Sequence, residues 1–113
     1  MSTAEEGSNR ESLYIREEDL HPHLQARMVQ RGITVAEIRE TLSAGWPTSD
    51  CRPGTLGKVF VFSYAAEWEG RFYDEKEVTV YYKVKDAQLI LLTAKARYGR
   101  GFPRGARSDE DRV

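Results

Sequence analysis

Leu20-His21-Pro22-His23-Leu24-Gln25-Ala26-Arg27-Met28-Val29-Gln30-Arg31-Gly32-Ile33-Thr34-Val35-Ala36-Glu37-Ile38 carries two helix starts and one helix stop. Leu20, Leu24 and Met28 recur every four residues, the spacing of one buried helical stripe. Asp19 or His21 can cap this helix, and Pro22 suits its first turn, where a missing N–H costs nothing. A basic last turn followed by Gly32 is a helix C-terminus, so the spacing predicts a helix over 20–31. Thr34 and Glu37 then form a T-x-x-E capping box, with Ile33 placed to staple onto Ile38. The second helix buries Val35, Ile38 and Leu42, ends at Gly45 and is barred from continuing by Pro47.

Beyond this pair the periodicity changes. Residues 46–57 are rich in turn formers. Lys58–Tyr64 alternates, with Val59, Val61 and Ser63 on one face and Phe60, Phe62 and Tyr64 on the other. Glu77–Val84 is β-branched and aromatic. Gln88–Ala96 is apolar at its start, which predicts a central strand covered on both faces. Lys85-Asp86-Ala87 predicts a tight hairpin, and the insert Ala65–Lys76, with Trp68, Gly70, Phe72 and Tyr73, a longer hairpin connection. Gly99 onward reads as a flexible basic segment. Helix, helix, strand, strand, strand, without internal repeats, predicts an α+β fold of two N-terminal helices packed on a small antiparallel β-sheet. Residues 1–12 are expected to form a disordered acidic tail, 13–103 a single domain, and 104–113 a flexible C-terminal tail. Leu13-Tyr14-Ile15 is an apolar patch suited to an edge strand or a tail anchor.

With 113 residues, 40% hydrophobic and 31% charged, the chain has the make-up of one globular domain and is too apolar for wholesale disorder. Cys51 is the one cysteine, so no internal disulfide forms. The opening residues lack the basic and apolar regions of a secretory leader. The longest apolar run, Leu89-Ile90-Leu91-Leu92, is far short of a membrane span. A cytoplasmic protein with no membrane partner is expected. The net charge of −1 conceals an uneven distribution. Residues 1–19 hold six acids and two bases, whereas residues 88–107 hold Lys95, Arg97, Arg100, Arg104 and Arg107 and no acid. The basic end points to a polyanion. The acidic front either neutralises it across the fold or lies over it as an autoinhibitor.

Two groups of residues suit phosphodiester chemistry. His23, Arg27 and Arg31 fall on one helical stripe at the border of the core. Arginine forks hold phosphate, and imidazole moves a proton near neutral pH. The bland alternative is surface ion pairing. Lys95, Arg97 and Thr93 point the same way from a strand, Tyr98 starts the other face or the turn, and Arg100 and Arg104 lie beyond. A basic row with an adjacent aromatic suits single-stranded RNA. Its bland alternative is a solvated strand end. RNA cleavage needs a base, an acid and cations at the pentavalent phosphate. His23 is the candidate base or acid, Tyr98 a candidate proton donor, and Arg27, Arg31, Lys95 and Arg97 candidate stabilisers. His21, His23, Asp19 and Cys51 lack zinc-site spacing. No phosphate-cradling glycine loop is present. No metal or cofactor is expected.

The stretch His23-Leu-Gln-Ala-Arg27-Met28-Val-Gln-Arg31-Gly32-Ile33-Thr34, with Leu89–Leu92 and Thr93 later, resembles a bacterial family known as domain of unknown function 4258. The resemblance covers about residues 20–97. That family is thought to resemble the RelE/ParE toxin fold, within the barnase, EndoU, colicin and RelE group of ribonucleases. The resemblance implies that His23, Arg27, Arg31 and the end of the last strand line one cleft. It suggests a toxin-like protein acting on RNA, free or ribosome-bound, and a small antitoxin that engages the sheet edges and the aromatics Phe72 and Tyr73.

Three hypotheses follow. The first is a metal-independent endoribonuclease of a toxin–antitoxin type. The second is a non-catalytic RNA- or protein-binding module of the same fold. The third, a DNA-binding helix-turn-helix over 22–44, is disfavoured because Glu37 and Glu40 flank Arg39 on its second helix.

Overall fold

The computed structural model describes residues 20–105. The expected N-terminal tail, the Leu13-Tyr14-Ile15 patch and residues 106–113 lie outside the described residues. Two helices, α1 (Pro22–Arg31) and α2 (Val35–Ala44), precede four strands, β1 (Trp46–Pro47), β2 (Leu56–Trp68), β3 (Arg71–Lys85) and β4 (Gln88–Gly99). The strands form one antiparallel sheet in the order β1-β2-β3-β4. The coarse expectation of an α+β fold holds.

The helix termini follow their local chemistry. His21 caps α1: its Nδ1 accepts the His23 N–H at 3.0 Å. Gly32 takes φ 72°, and the N–H groups of Gly32 and Ile33 return to the Val29 and Met28 carbonyls. That paired closure needs a left-handed residue, which glycine adopts without penalty. At α2 the capping box is complete. Thr34 Oγ1 accepts the Glu37 N–H at 3.1 Å, and Glu37 Oε1 accepts the Thr34 N–H at 3.0 Å.

One face of the sheet is covered. Leu20, Leu24, Met28, Ile33, Ile38 and Leu42 pack on Val78, Val80 and Ala94, with Phe62, Tyr82 and Leu91 at the margin. Each such side chain contributes about 1.5–3 kcal/mol when fully buried. α1 lies mainly over β4, and α2 over β2 and β3.

The strands differ from expectation in four ways. First, β3, not Gln88–Ala96, is central, and Lys76–Val80 is buried throughout. Its buried charges Lys76 and Glu77 disguise it in the sequence, because they are paired by Glu37 and Arg97 from elsewhere. β4 is the last strand in the sheet. Its apolar start reflects α1 above it and a register shift that leaves Leu92 38% exposed. Second, Ala65–Lys76 is not a long connection. β2 and β3 continue to a turn at Glu69-Gly70, both at positive φ, the mirror-image turn that matches strand twist. Third, residues 46–57 are not all loop, since Trp46 and Pro47 pair with Val59 and Lys58. Fourth, residues 101–105 are held rather than free, with Phe102 and Arg104 bonded to Glu75. The tight hairpin at Asp86-Ala87 forms, again with both residues at positive φ.

Candidate functional site on the open sheet face

Alternation along the strands sends the two groups of candidate residues to opposite faces of the sheet. On β3, Val78 and Val80 enter the helix-side core, so Glu77 and Thr79 face away from it. The register pairs Glu77 with Arg97 and Thr79 with Lys95. Lys95 and Arg97 therefore project from the open face, while α1 with His23, Arg27 and Arg31 covers the other. The single cleft expected from the family resemblance does not form from these side chains.

The α1 stripe splits in two. His23 and Arg27 are exposed, and the His23 ring stacks on His21 at 5.2 Å. Arg31 is half-buried and ties the helix to the sheet, donating from Nη1 to the Ala94 carbonyl at 2.6 Å. An edge strand presents carbonyls without ladder partners, and Arg31 covers this acceptor. Tyr98 also lies on the helix side. Its hydroxyl donates to the Arg31 carbonyl at 2.6 Å, and its ring stacks on Trp68 at 5.1 Å. Burial, reinforced by Tyr64, Glu37 and Glu69, pushes the Tyr98 phenol well above its usual range. A phenol that holds its proton this tightly is a poor acid catalyst.

Lys76 was not foreseen among the candidates. It is 2% exposed, and its Nζ donates to Glu37 Oε1 at 2.8 Å and to the Gly32 carbonyl. The Tyr64 and Tyr98 rings stand 5.3 and 5.4 Å from the ammonium. One carboxylate thus serves both the capping box and a buried cation, so this cage is a structural pin between α1, α2 and β3. Its signal in the sequence is a lysine in phase with Val78 and Val80.

The open face holds a cleft of about 420 Å³, lined by Glu77, Thr79, Lys95 and Arg97 over Val59, with Trp46 and Asp50 on the rim. Arg97 Nε meets Glu77 Oε1 at 2.8 Å, and Lys95 Nζ meets Asp50 Oδ2 at 3.3 Å. Burial raises the Asp50 carboxyl, but hydrogen bonds from Thr48, Tyr81 and Lys95 outweigh it and hold the group below its usual range. Tyr81, and then Asp50, hold the Lys95 ammonium above its usual range. Both cations remain accessible: Lys95 is 47% and Arg97 60% exposed.

The remaining basic candidates have acidic partners too. Arg100 lies 3.9 Å from Asp74, and Arg104 lies 2.9 Å from Glu75. The stretch with no acid of its own is therefore neutralised within the described residues by Asp50, Asp74, Glu75 and Glu77. Among the described residues no three His, Cys, Asp or Glu side chains gather as a metal site, and no helix is long and apolar enough to cross a membrane. Of the two aromatics assigned to a protein partner, Phe72 is 61% exposed, while Tyr73 is half-buried against Tyr98.

No family model, curated protein or solved structure matches the chain.

Proposed function

We propose that this protein is an RNA-directed binding module, toxin-like in its helix-and-sheet plan, that takes single-stranded RNA across the open face of its sheet. The observation that carries the reading is the adjacent, accessible pair Lys95 and Arg97, set in a cleft with Trp46 on its rim. Cations hold the backbone, and an aromatic rim accepts a base without regard to sequence. The Lys95–Asp50 pair is exposed and contributes little to stability, so exchanging Asp50 for phosphate is inexpensive. The buried Glu77 keeps its hold on Arg97 Nε and leaves the rest of the guanidinium to the ligand. Binding is favoured over cleavage by His23 because that imidazole lies on α1, across the sheet from these cations. Glu77, beside Arg97, is the open-face group placed to move a proton if the bound RNA is cut.

Anisotropy of a labelled oligouridylate against salt tests this reading. Two phosphate contacts on a single strand give a slope of about −1.4 in log affinity against log salt. Lys95→Ala and Arg97→Ala are each expected to remove about 0.7 of it, and His23→Ala and Arg27→Ala to leave it unchanged. Loss with His23→Ala alone would move the site to α1. No binding by folded wild type would overturn the reading and favour a protein partner at the exposed Phe72. The same RNA incubated in EDTA tests for endoribonuclease activity, which the binding reading predicts to be absent. Cutting that folded Glu77→Gln loses would make the open face catalytic.

A further inference from the structure

Residues 101–105 turn back along the open face. Gly101 takes φ 74°, and the Phe102 ring lies 4.9 Å from the Arg97 guanidinium. Glu75 gathers the turn. Its Oε1 accepts the Phe102 N–H at 3.0 Å, and its Oε2 accepts Arg104 Nη2 at 2.9 Å. Arg104 Nη1 also reaches the Val61 carbonyl at 3.0 Å. Arg104, and then the Phe102 N–H, hold the Glu75 carboxyl below its usual range. Pro103 and Gly105 consequently line the same cleft as Lys95 and Arg97.

We propose that residues 101–105 form a strap, latched by Glu75, that restricts access of RNA to Arg97. This rests on the RNA reading of the open face. With Glu77 at its Nε and Phe102 against the guanidinium, Arg97 has part of its surface already occupied. Phosphate gains a freer Arg97 when the ring withdraws. Gly101 and Gly105, both at positive φ with open space around them, bracket the strap. The strap joins no ladder of the sheet and the larger core lies on the far face, so release leaves the helix-side packing in place, although Val61, 1% exposed, sits on the strap's own face.

The test uses the full chain and two readouts: oligouridylate anisotropy, and the rate of tryptic cleavage after Arg104. Glu75→Ala is expected to speed the clip and to tighten binding about tenfold, the gain when a competent state populated about one time in ten becomes dominant. Asp74→Ala removes the same charge outside the latch and is expected to change neither. Phe102→Ala keeps the Glu75–Arg104 pair, frees Arg97 and is expected to tighten binding even if Glu75→Ala fails to fold. Unchanged affinity in Glu75→Ala and Phe102→Ala, with wild type still binding, overturns the strap alone. Equal tightening by Asp74→Ala overturns it in favour of bulk charge. No binding by any protein overturns the RNA reading, and the gate with it, whatever the clip rate.

Discussion

The two faces of the sheet use the same chemistry to opposite ends. On the helix side, Lys76 is 2% exposed and held by Glu37, a backbone carbonyl and two rings. On the open side, Lys95 and Arg97 each meet a carboxylate while keeping about half their surface in solvent. A cation removed from water depends on its partner, because an uncompensated buried charge is strongly destabilising. Where cation and carboxylate both remain in water, as in Lys95–Asp50, the pair can change partners at little cost, whereas Glu77 beside Arg97 is only 11% exposed and depends on its cation. Burial, more than residue type, separates the structural ion pair from those suited to ligand exchange.

The largest expected effect comes from breaking the buried pair. Glu37→Ala is expected to destabilise the fold by about 3–5 kcal/mol in denaturant unfolding, since Lys76 loses its counter-charge and α2 its capping box. The double variant Lys76→Met, Glu37→Gln is expected to recover much of that loss. If Glu37→Ala costs no more than an exposed pair, the contrast between the faces collapses.

Two left-handed glycines sharpen the same contrast. A Cβ on Gly32 would lie 2.5 Å from the Trp68 ring and 2.7 Å from the Tyr98 hydroxyl, whereas one on Gly101 would meet nothing within 4 Å. Gly32→Ala is expected to cost about 3 kcal/mol, from backbone strain plus overpacking, and Gly101→Ala about 1 kcal/mol, from strain alone. Equal losses of melting temperature would mean that the aromatic cage yields as readily as the strap.

The smallest effect belongs to the open face. Asp50→Asn is expected to change stability at neutral pH by well under 1 kcal/mol, because its pair with Lys95 is half exposed. The folded Asp50 carboxyl lies below its ordinary 3.8, so the unfolded chain binds more protons through that range. Its stabilising contribution is present above the ordinary value and is lost as pH falls through the folded one. Asp50→Asn should therefore flatten the acid limb of a melting-temperature profile below about pH 4 while tightening RNA binding at neutral pH. An unchanged acid limb would show that Asp50 is no more engaged than a solvated carboxylate.

Much of the fold is legible along the chain. Pro22, Gly32, the Thr34–Glu37 box and the Leu20, Leu24, Met28 stripe each act within a turn or so of themselves, and each appears where its spacing places it. Strand order was less legible. Gln88–Ala96 is more apolar than Arg71–Lys85, yet the latter is central, because its charged side chains find partners that periodicity does not reveal. The candidate site was partly legible. Lys95 and Arg97 share a face, as period-two alternation requires, and Tyr98, one residue on, takes the other, one of the two placements open to it. What alternation does not show is that Tyr98 is tied to Arg31 there.

The sequence by itself determined the helices, the Gly32 stop and the Thr34–Glu37 capping box, the hairpin at Asp86-Ala87 and the common direction of Lys95 and Arg97, because these depend on residues a few positions apart. Tertiary structure alone decided which charges meet. Lys76 finds Glu37 across 39 residues, Lys95 finds Asp50 across 45, Arg104 finds Glu75 across 29 and Arg97 finds Glu77 across 20. Antiparallel pairing and the return of the chain after Gly99 create those meetings, and the solvent left around each decides whether it pins the fold or remains available to a ligand.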